Sequence, residues 1–355
     1  MELKKIVITL IVVIILVTFW QFYFGSNGGS DNPPDYEFIS NLINQTNTSR
    51  IEDNIEYLQS HKTRYIGTEG NNETTIWLKN KFDSFDLNTY YQNFSYEGKN
   101  LSNVIAYHEG RNEEKEDETI ILSAHFDSIN NEGVNLSAPG ADDDASGIAA
   151  VIESARILSK YDFNRTIIFC AWNAEEVGLI GSRYFTENMY KTEWEIKGVY
   201  NFDMVGYSSN GHDIKIHSNH YSESLLDAMT DMDKKLDLTV NITPVTEDLE
   251  IRSDHYSFWV KGYKACLLIE ETFNPHYHTA NDTIDKISIP MIKSVTQLSI
   301  GTSAKLLGIV ESSDIMFVQK IAPNDRTLII WELDDVNIKI AKISKLNKYF
   351  YIDLN

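Results

Sequence analysis

Between His125 and Gly147 the chain carries a dense set of groups that bind cations or move protons. His125-Phe126-Asp127-Ser128 comes first, and Asp142-Asp143-Asp144 follows, leading into Ala145-Ser146-Gly147. One aspartate is enough to cap a helix and meet its positive end. Three in a row concentrate negative charge, which is costly unless cations sit there. Further along come Glu175-Glu176, Asp203 and Tyr277-His278-Thr279. Imidazole and carboxylate ligands with no thiolate suit zinc in a catalytic, hydrolytic role. One aspartate between two cations could bridge them, with the ions roughly 3.5–4 Å apart as in co-catalytic sites.

The elements that must position these groups are strands and helices in alternation. Strand 119–123 leads to His125 and Asp127, and the helix expected over 145–161 starts at the aspartates. Strand 166–172 leads to Glu175-Glu176 and then a short helix over 181–189; strand 198–202 leads to Asp203. Strand 213–217, helix 222–236, strand 264–269 and a closing helix over 290–310 follow, with Tyr277-His278 after the last strand. Upstream, the pattern predicts helices over 49–61 and 73–82, a turn at 67–71, and strands over 88–96 and 103–108. This alternation predicts an α/β fold: a mixed, mostly parallel twisted central sheet with helices on both faces. Open sheets of that kind place ligands beyond the carboxyl ends of their strands, where all these groups would meet.

The five motifs together resemble the signature of the di-zinc aminopeptidase family of metallopeptidases, whose relatives include glutamate carboxypeptidases and glutaminyl cyclases. They are His125-Phe126-Asp127-Ser128, Gly140 to Gly147, Asn173-Ala174-Glu175-Glu176-Val177-Gly178, Asn201-Phe202-Asp203-Met204 and Tyr277-His278-Thr279. The resemblance covers residues 49–310 and implies a zinc exopeptidase-like fold with two Zn²⁺ ions. His125 and Asp203 would hold one ion, Glu176 and His278 the other, and Asp143 would bridge them. Asp127 would hydrogen-bond the far nitrogen of His125, fixing its tautomer. Glu175 would be the general base that takes a proton from the attacking water and passes it to the leaving amine. Tyr277 would stabilise the oxyanion. Ser253-Asp254-His255 also resembles a family motif near the substrate, and reads equally well as a helix cap. The implied activity is aminopeptidase action on peptides with a free N-terminus. A glutaminyl-cyclase-like transferase or a carboxypeptidase on the same scaffold is the alternative.

Charge agrees with a peptide substrate. The formal charge of −21 disfavours nucleic acid, whose phosphates need a basic partner. It suits substrates carrying a free amine. Cys170 and Cys266, the two cysteines, lie in apolar runs and read as buried free thiols, though a disulfide between them is possible.

The N-terminus adds a location. Residues 6–24 are apolar apart from Thr9, Thr18 and Gln21, long enough at about 1.5 Å per residue to span a bilayer core of roughly 30 Å. Lys4 and Lys5 precede the run, Asp31, Asp35 and Glu37 follow it, and its end at Trp20 and Phe22-Tyr23-Phe24 lacks a small-residue cleavage pattern. The reading is a signal-anchor transmembrane helix over residues 1–24 in the cell membrane, with the catalytic domain extracellular. Nine N-x-S/T patterns, from Asn44 to Asn281, fit an exported chain. The expected organisation is the anchor at 1–24, a flexible stalk at 25–48, the catalytic domain at 49–310, and a small β tail at 311–355.

Overall fold

The computed structural model describes residues 36–310 except Asn210 and Leu249, and beyond them the backbone of residues 317–320, 327–334 and 337–344. The expected transmembrane anchor and residues 25–35 of the expected stalk lie outside the described residues. Among the described residues no helix is long and apolar enough to cross a membrane.

An eight-stranded mixed sheet forms the centre, in the order β1 (Asn88–Tyr96), β2 (Lys99–His108), β4 (Thr166–Trp172), β3 (Glu118–His125), β5 (Glu195–Phe202), β8 (Ala265–Glu270), β6 (Asp213–Ser218), β7 (Asn241–Thr246). β4, β3, β5 and β8 run parallel in the middle, flanked by antiparallel pairings of β2 with β4 and of β6 with β8. The central strands are buried on both faces and alternate with a period of two. Ile120, Leu122 and Ala124 join Ile167, Phe169 and Ala171 in the larger core, while Ile121 joins Ile168, Cys170 and Trp172 in the other.

Helices cover both faces, as expected. The larger core holds residues of α1 (Tyr36–Ile43), α2 (Thr48–Gln59), α3 (Glu69–Asp83), α4 (Ala145–Leu158), α6 (Glu223–Leu236) and α8 (Ile289–Leu307). The other face receives Phe185 of α5 (Ile180–Asn188) and Phe258 of α7 (His255–Val260), which pack around Trp172. Trp172 ends β4 just before Glu175-Glu176, so this aromatic cluster supports the turn that carries both glutamates.

Several boundaries differ from the expectation. α1 falls inside the stretch expected to be a flexible stalk, and its Ile39, Leu42 and Ile43 are buried in the core. Its eight residues are too few to announce a helix without the surface they pack on. α3 begins at the expected turn, because the Thr68 side chain accepts from the Asn71 amide and caps it, a contact worth about 1 kcal/mol. β7 and α7 were not visible in the pattern. β7 is a half-exposed edge strand with Pro244 inside it, and an edge tolerates the lost donor. Two strands, β3 and β5, separate Cys170 on β4 from Cys266 on β8, a gap of roughly 14 Å at normal strand spacing. The two thiols are free and buried, and a disulfide between them is excluded.

Residues 310–355 form a second compact unit. Its described part is a three-stranded antiparallel sheet in the order β11 (Asn337–Ser344), β10 (Thr327–Asp334), β9 (Phe317–Lys320). The rest of the expected β tail lies outside the described residues.

Candidate metal centre

The four parallel strands bring their carboxyl ends to one edge. His125 ends β3 opposite Trp172 of β4, Ser123 pairs with Asn201 of β5, and Phe202 of β5 pairs with Leu268 of β8. Every candidate ligand therefore leaves the sheet on the same side. Asp143 sits between two imidazoles: its Oδ1 is 3.0 Å from His125 Nε2 and its Oδ2 is 3.0 Å from His278 Nε2. Glu176 Oε2 is 2.8 Å from His278 Nε2, and Asp203 Oδ1 is 3.7 Å from His125 Nε2. Glu175 Oε2 lies 4.0 Å from His125 Nε2. His125, Asp143, Asp203, Glu175, Glu176 and His278 thus converge as two half-sites sharing one carboxylate.

The donor set fits cations. Asp143 Oδ2, Glu176 Oε1 and His278 Nε2 are buried without a hydrogen-bond partner, although the imidazole and carboxylates are in contact. Orphaned buried polar atoms are costly, and metal coordination is one way to satisfy them. Charge tells the same story. Burial opposes protonation of His278, yet the Asp143 and Glu176 carboxylates push it up to about 10. Burial also opposes ionisation of Asp143, but His125 and His278 hold its carboxyl well below the usual range. Without cations the cluster keeps protons on its imidazoles, and metal binding displaces them.

The three consecutive aspartates divide their labour. Of the three, Asp143 contacts both imidazoles, while an Asp144 oxygen lies within 4.8 Å of ligand atoms of His125 and Asp203. Asp144 caps α4 by accepting from the Gly147 amide, and it also accepts from the amides of Met204 and His125. It therefore ties together the ends of β3 and β5 and the start of α4. Asp142 accepts from the Gly206 amide and the Asn274 side chain. Burial and the neighbouring Asp142 charge push the Glu270 carboxyl up to about 12. Most of the acidic density at this helix start is thus structural, with one bridging residue among braces.

Asp127 meets both His125 and a second element. His125 Nδ1 lies 3.2 Å from the Asp127 backbone carbonyl and 3.5 Å from its carboxylate. The two carboxylate oxygens also accept from the amides of Glu175 and Glu176, at 3.1 and 3.2 Å. Asp127 therefore joins the His125 strand to the glutamate turn. Burial raises the Glu175 carboxyl well above its ordinary range; His125 opposes this, and the negative charges of Glu176, Asp254 and Asp203 reinforce it.

Tyr277 stacks on His278 with ring centroids 3.5 Å apart, and Phe273 meets Tyr277 edge-on at 4.8 Å. Burial first, then the charges of Asp143, Glu176, Asp203 and Glu175, keep the Tyr277 hydroxyl protonated. Asp254 precedes α7 but makes no capping hydrogen bond, so the cap reading of Ser253-Asp254-His255 is not borne out. Ser253 Oγ instead accepts from Asn201 beside Asp203, at 2.8 Å.

Several supporting residues were not picked out from the sequence. Arg64 is fully buried, and its guanidinium donates to the carbonyls of Phe126, Leu58, Pro139 and Gly140. It places a cation under Asp282, Asp143, Asp127 and Asp144. Asp282 accepts from the amides of Asp142 and Asp143, clamping the bridging residue's backbone. Buried Asn71, Asn103 and Asn173 exchange hydrogen bonds beneath the glutamate turn, where Ala174 adopts a φ of +64°. Asn173 stands inside the Asn173–Gly178 motif and Asp282 in a turn beside Tyr277-His278-Thr279; nothing in local sequence marks Arg64, Asn71 or Asn103.

Peptidase family M28 matches residues 103–302, more than half of the chain. The chain belongs to peptidase family M28. The M28 match spans every candidate ligand from His125 to His278. Leucine aminopeptidase 1 of Colletotrichum graminicola is 30% identical over 283 residues, covering 74% of this chain and 69% of its own. Its counterpart in Metarhizium robertsii is 29% identical, with 74% and 70% covered. Among solved structures, the Legionella pneumophila LapA aminopeptidase superposes with a TM-score of 0.70 at 22% identity, covering 81% of this chain and 79% of that one. Fimbriiglobus ruber glutaminyl cyclase gives 0.62 at 18% identity, covering 73% and 95%. At that identity both structures speak for the M28 fold alone. The chain is a metallopeptidase of the M28 zinc type, a hydrolase acting on peptide bonds.

Proposed function

We propose that this chain, a zinc metallo-aminopeptidase, removes apolar N-terminal residues from peptides with a pair of zinc ions. The observation that carries the two-ion reading is Asp143, whose two oxygens each lie 3.0 Å from a different imidazole. His125 and Asp203 would hold one ion, Glu176 and His278 the other, with Asp143 shared. Zinc there supplies a Lewis acid for the scissile carbonyl and lowers the pKa of water. The chain's own residues do the rest. Glu175 takes the proton of the attacking water and returns it to the leaving amine. The protonated Tyr277 hydroxyl is a donor for the carbonyl oxygen as negative charge develops on it. The carboxylate-rich surroundings favour a substrate's free ammonium.

The apolar preference is supported by exposed Phe273 on the ring stack of Tyr277 and His278. It also agrees with the names of the fungal relatives. In a panel with defined zinc, leucyl substrates should turn over and their N-acetylated forms should be poor. Efficient release of C-terminal residues from N-blocked peptides would move the assignment to carboxypeptidase. Cyclisation of glutaminyl substrates without hydrolysis of leucyl ones would make it a cyclase.

The apolar run at residues 6–24, with lysines before it, supports anchoring in the cell membrane with the peptidase outside. Protease added to intact cells should release the catalytic domain. A domain protected until cells are opened would sink the topology.

A further inference from the structure

The two imidazoles of the centre are oriented from different parts of the chain. His125 Nδ1 meets Asp127, two residues along, through its backbone carbonyl at 3.2 Å and its carboxylate at 3.5 Å. His278 Nδ1 instead meets a side chain from a remote loop, the amide oxygen of Asn131, at 3.2 Å. The Asn131 backbone amide also donates to the His278 carbonyl, at 3.0 Å. The loop itself is braced: Asn130 donates to the Ser137 carbonyl, accepts from the Glu132 amide, and closes a turn with Gly133. Tyr277 covers one face of the His278 ring. The ring is thus fixed by a stack on its face and by one acceptor at the edge away from the carboxylates.

We infer that Asn131 is a positioning residue for the His278 half of the centre. The inference rests on the zinc reading above. An imidazole that gives Nε2 to a metal must carry its proton on Nδ1, and the partner of that N–H fixes tautomer and ring angle. The amide oxygen of Asn131 is that partner. It selects the tautomer in which the Nε2 lone pair faces Asp143 and Glu176. Asn131 is exposed, so water competes for the same N–H, and the effect falls at the low end of the ~10–100-fold range for such supporting contacts. Because the Asn131 side chain contacts His278, its loss falls on this half-site.

The test is a zinc titration of the metal-free full chain against a chromophoric chelator, comparing wild type with Asn131→Ala and Asn131→Asp. Alanine keeps the backbone hydrogen bond to His278 and removes only the side-chain acceptor. One of the two binding constants should fall about tenfold in Asn131→Ala, with the other unchanged. Asn131→Asp keeps an acceptor at that place and should restore the constant or tighten it. In a His278→Ala background, Asn131→Ala should cost nothing further, because the ring it positions is gone. Two unchanged constants in Asn131→Ala overturn the inference. So does an equal fall in both constants that aspartate fails to restore, since that marks a loop with a structural role only. Should wild type take up a single zinc, the two-ion reading fails by itself. The Asn131 inference is then decided by whether that one constant drops with alanine and recovers with aspartate.

Discussion

Glu175→Gln should lower kcat by ~10²–10⁴-fold while leaving zinc content unchanged. The change keeps the side chain's size and shape but removes its ability to accept a proton. Glu175 is close to the centre without being part of its closest contacts: its Oε2 is 4.0 Å from His125 Nε2, whereas Glu176 Oε2 is 2.8 Å from His278 Nε2. The two neighbours should therefore fail differently. KM for a leucyl substrate should change little in Glu175→Gln if the group contributes no ground-state binding. Glu176→Gln should instead weaken zinc binding, and excess zinc should recover part of its activity. Steady-state kinetics paired with elemental analysis separates the two. Zinc loss in Glu175→Gln with full retention in Glu176→Gln would show the roles to be reversed.

Asp143→Asn should be the most damaging change to the metal content. One carboxylate serves two imidazoles and, by the proposal, two ions. An amide of the same shape offers a single oxygen and turns an NH₂ group toward the second cation. Both ions should bind weakly, and kcat/KM should fall by ~10³-fold or more, since a catalytic metal supplies several kcal/mol of transition-state stabilisation. His278→Ala should weaken mainly one ion. Removing Asp143 does not strip the fold of its braces, because Asp142, Asp144 and Asp282 make the backbone contacts around it. The variant should remain folded by circular dichroism while binding little zinc. Two tightly held ions in Asp143→Asn would refute the bridge. A fully active wild type with a single ion would refute co-catalysis.

Residue type and local periodicity determined a good deal by themselves. The strand over Asn88–Tyr96 and that over Thr166–Trp172 were legible to the residue, because alternation and β-branched runs are local signals. The candidate ligands were legible because all but Asp143, which stands at a helix start, lie at or after the end of a strand, and parallel strands send those ends to one edge. Their pairing into two half-sites was available only through the family resemblance. It is decided physically by the strand order β4-β3-β5-β8, which long-range contacts set.

The tertiary structure alone decided what the aspartates do. Asp142, Asp143 and Asp144 are identical in composition, yet one bridges imidazoles, one caps a helix, and one accepts from the Gly206 amide and the Asn274 side chain. It alone revealed Arg64, a buried cation whose partners are carbonyls that leave no mark on the sequence. The same holds for Asn131, separated from His278 by 147 positions. Helix α1 was illegible for a related reason: eight residues do not hold a helix in water, and this one exists because Ile39, Leu42 and Ile43 find a surface built by the rest of the chain. Chemistry is carried by residue types that can be read in order, but the partner that orients each of them comes from wherever the fold brings a donor or acceptor within reach.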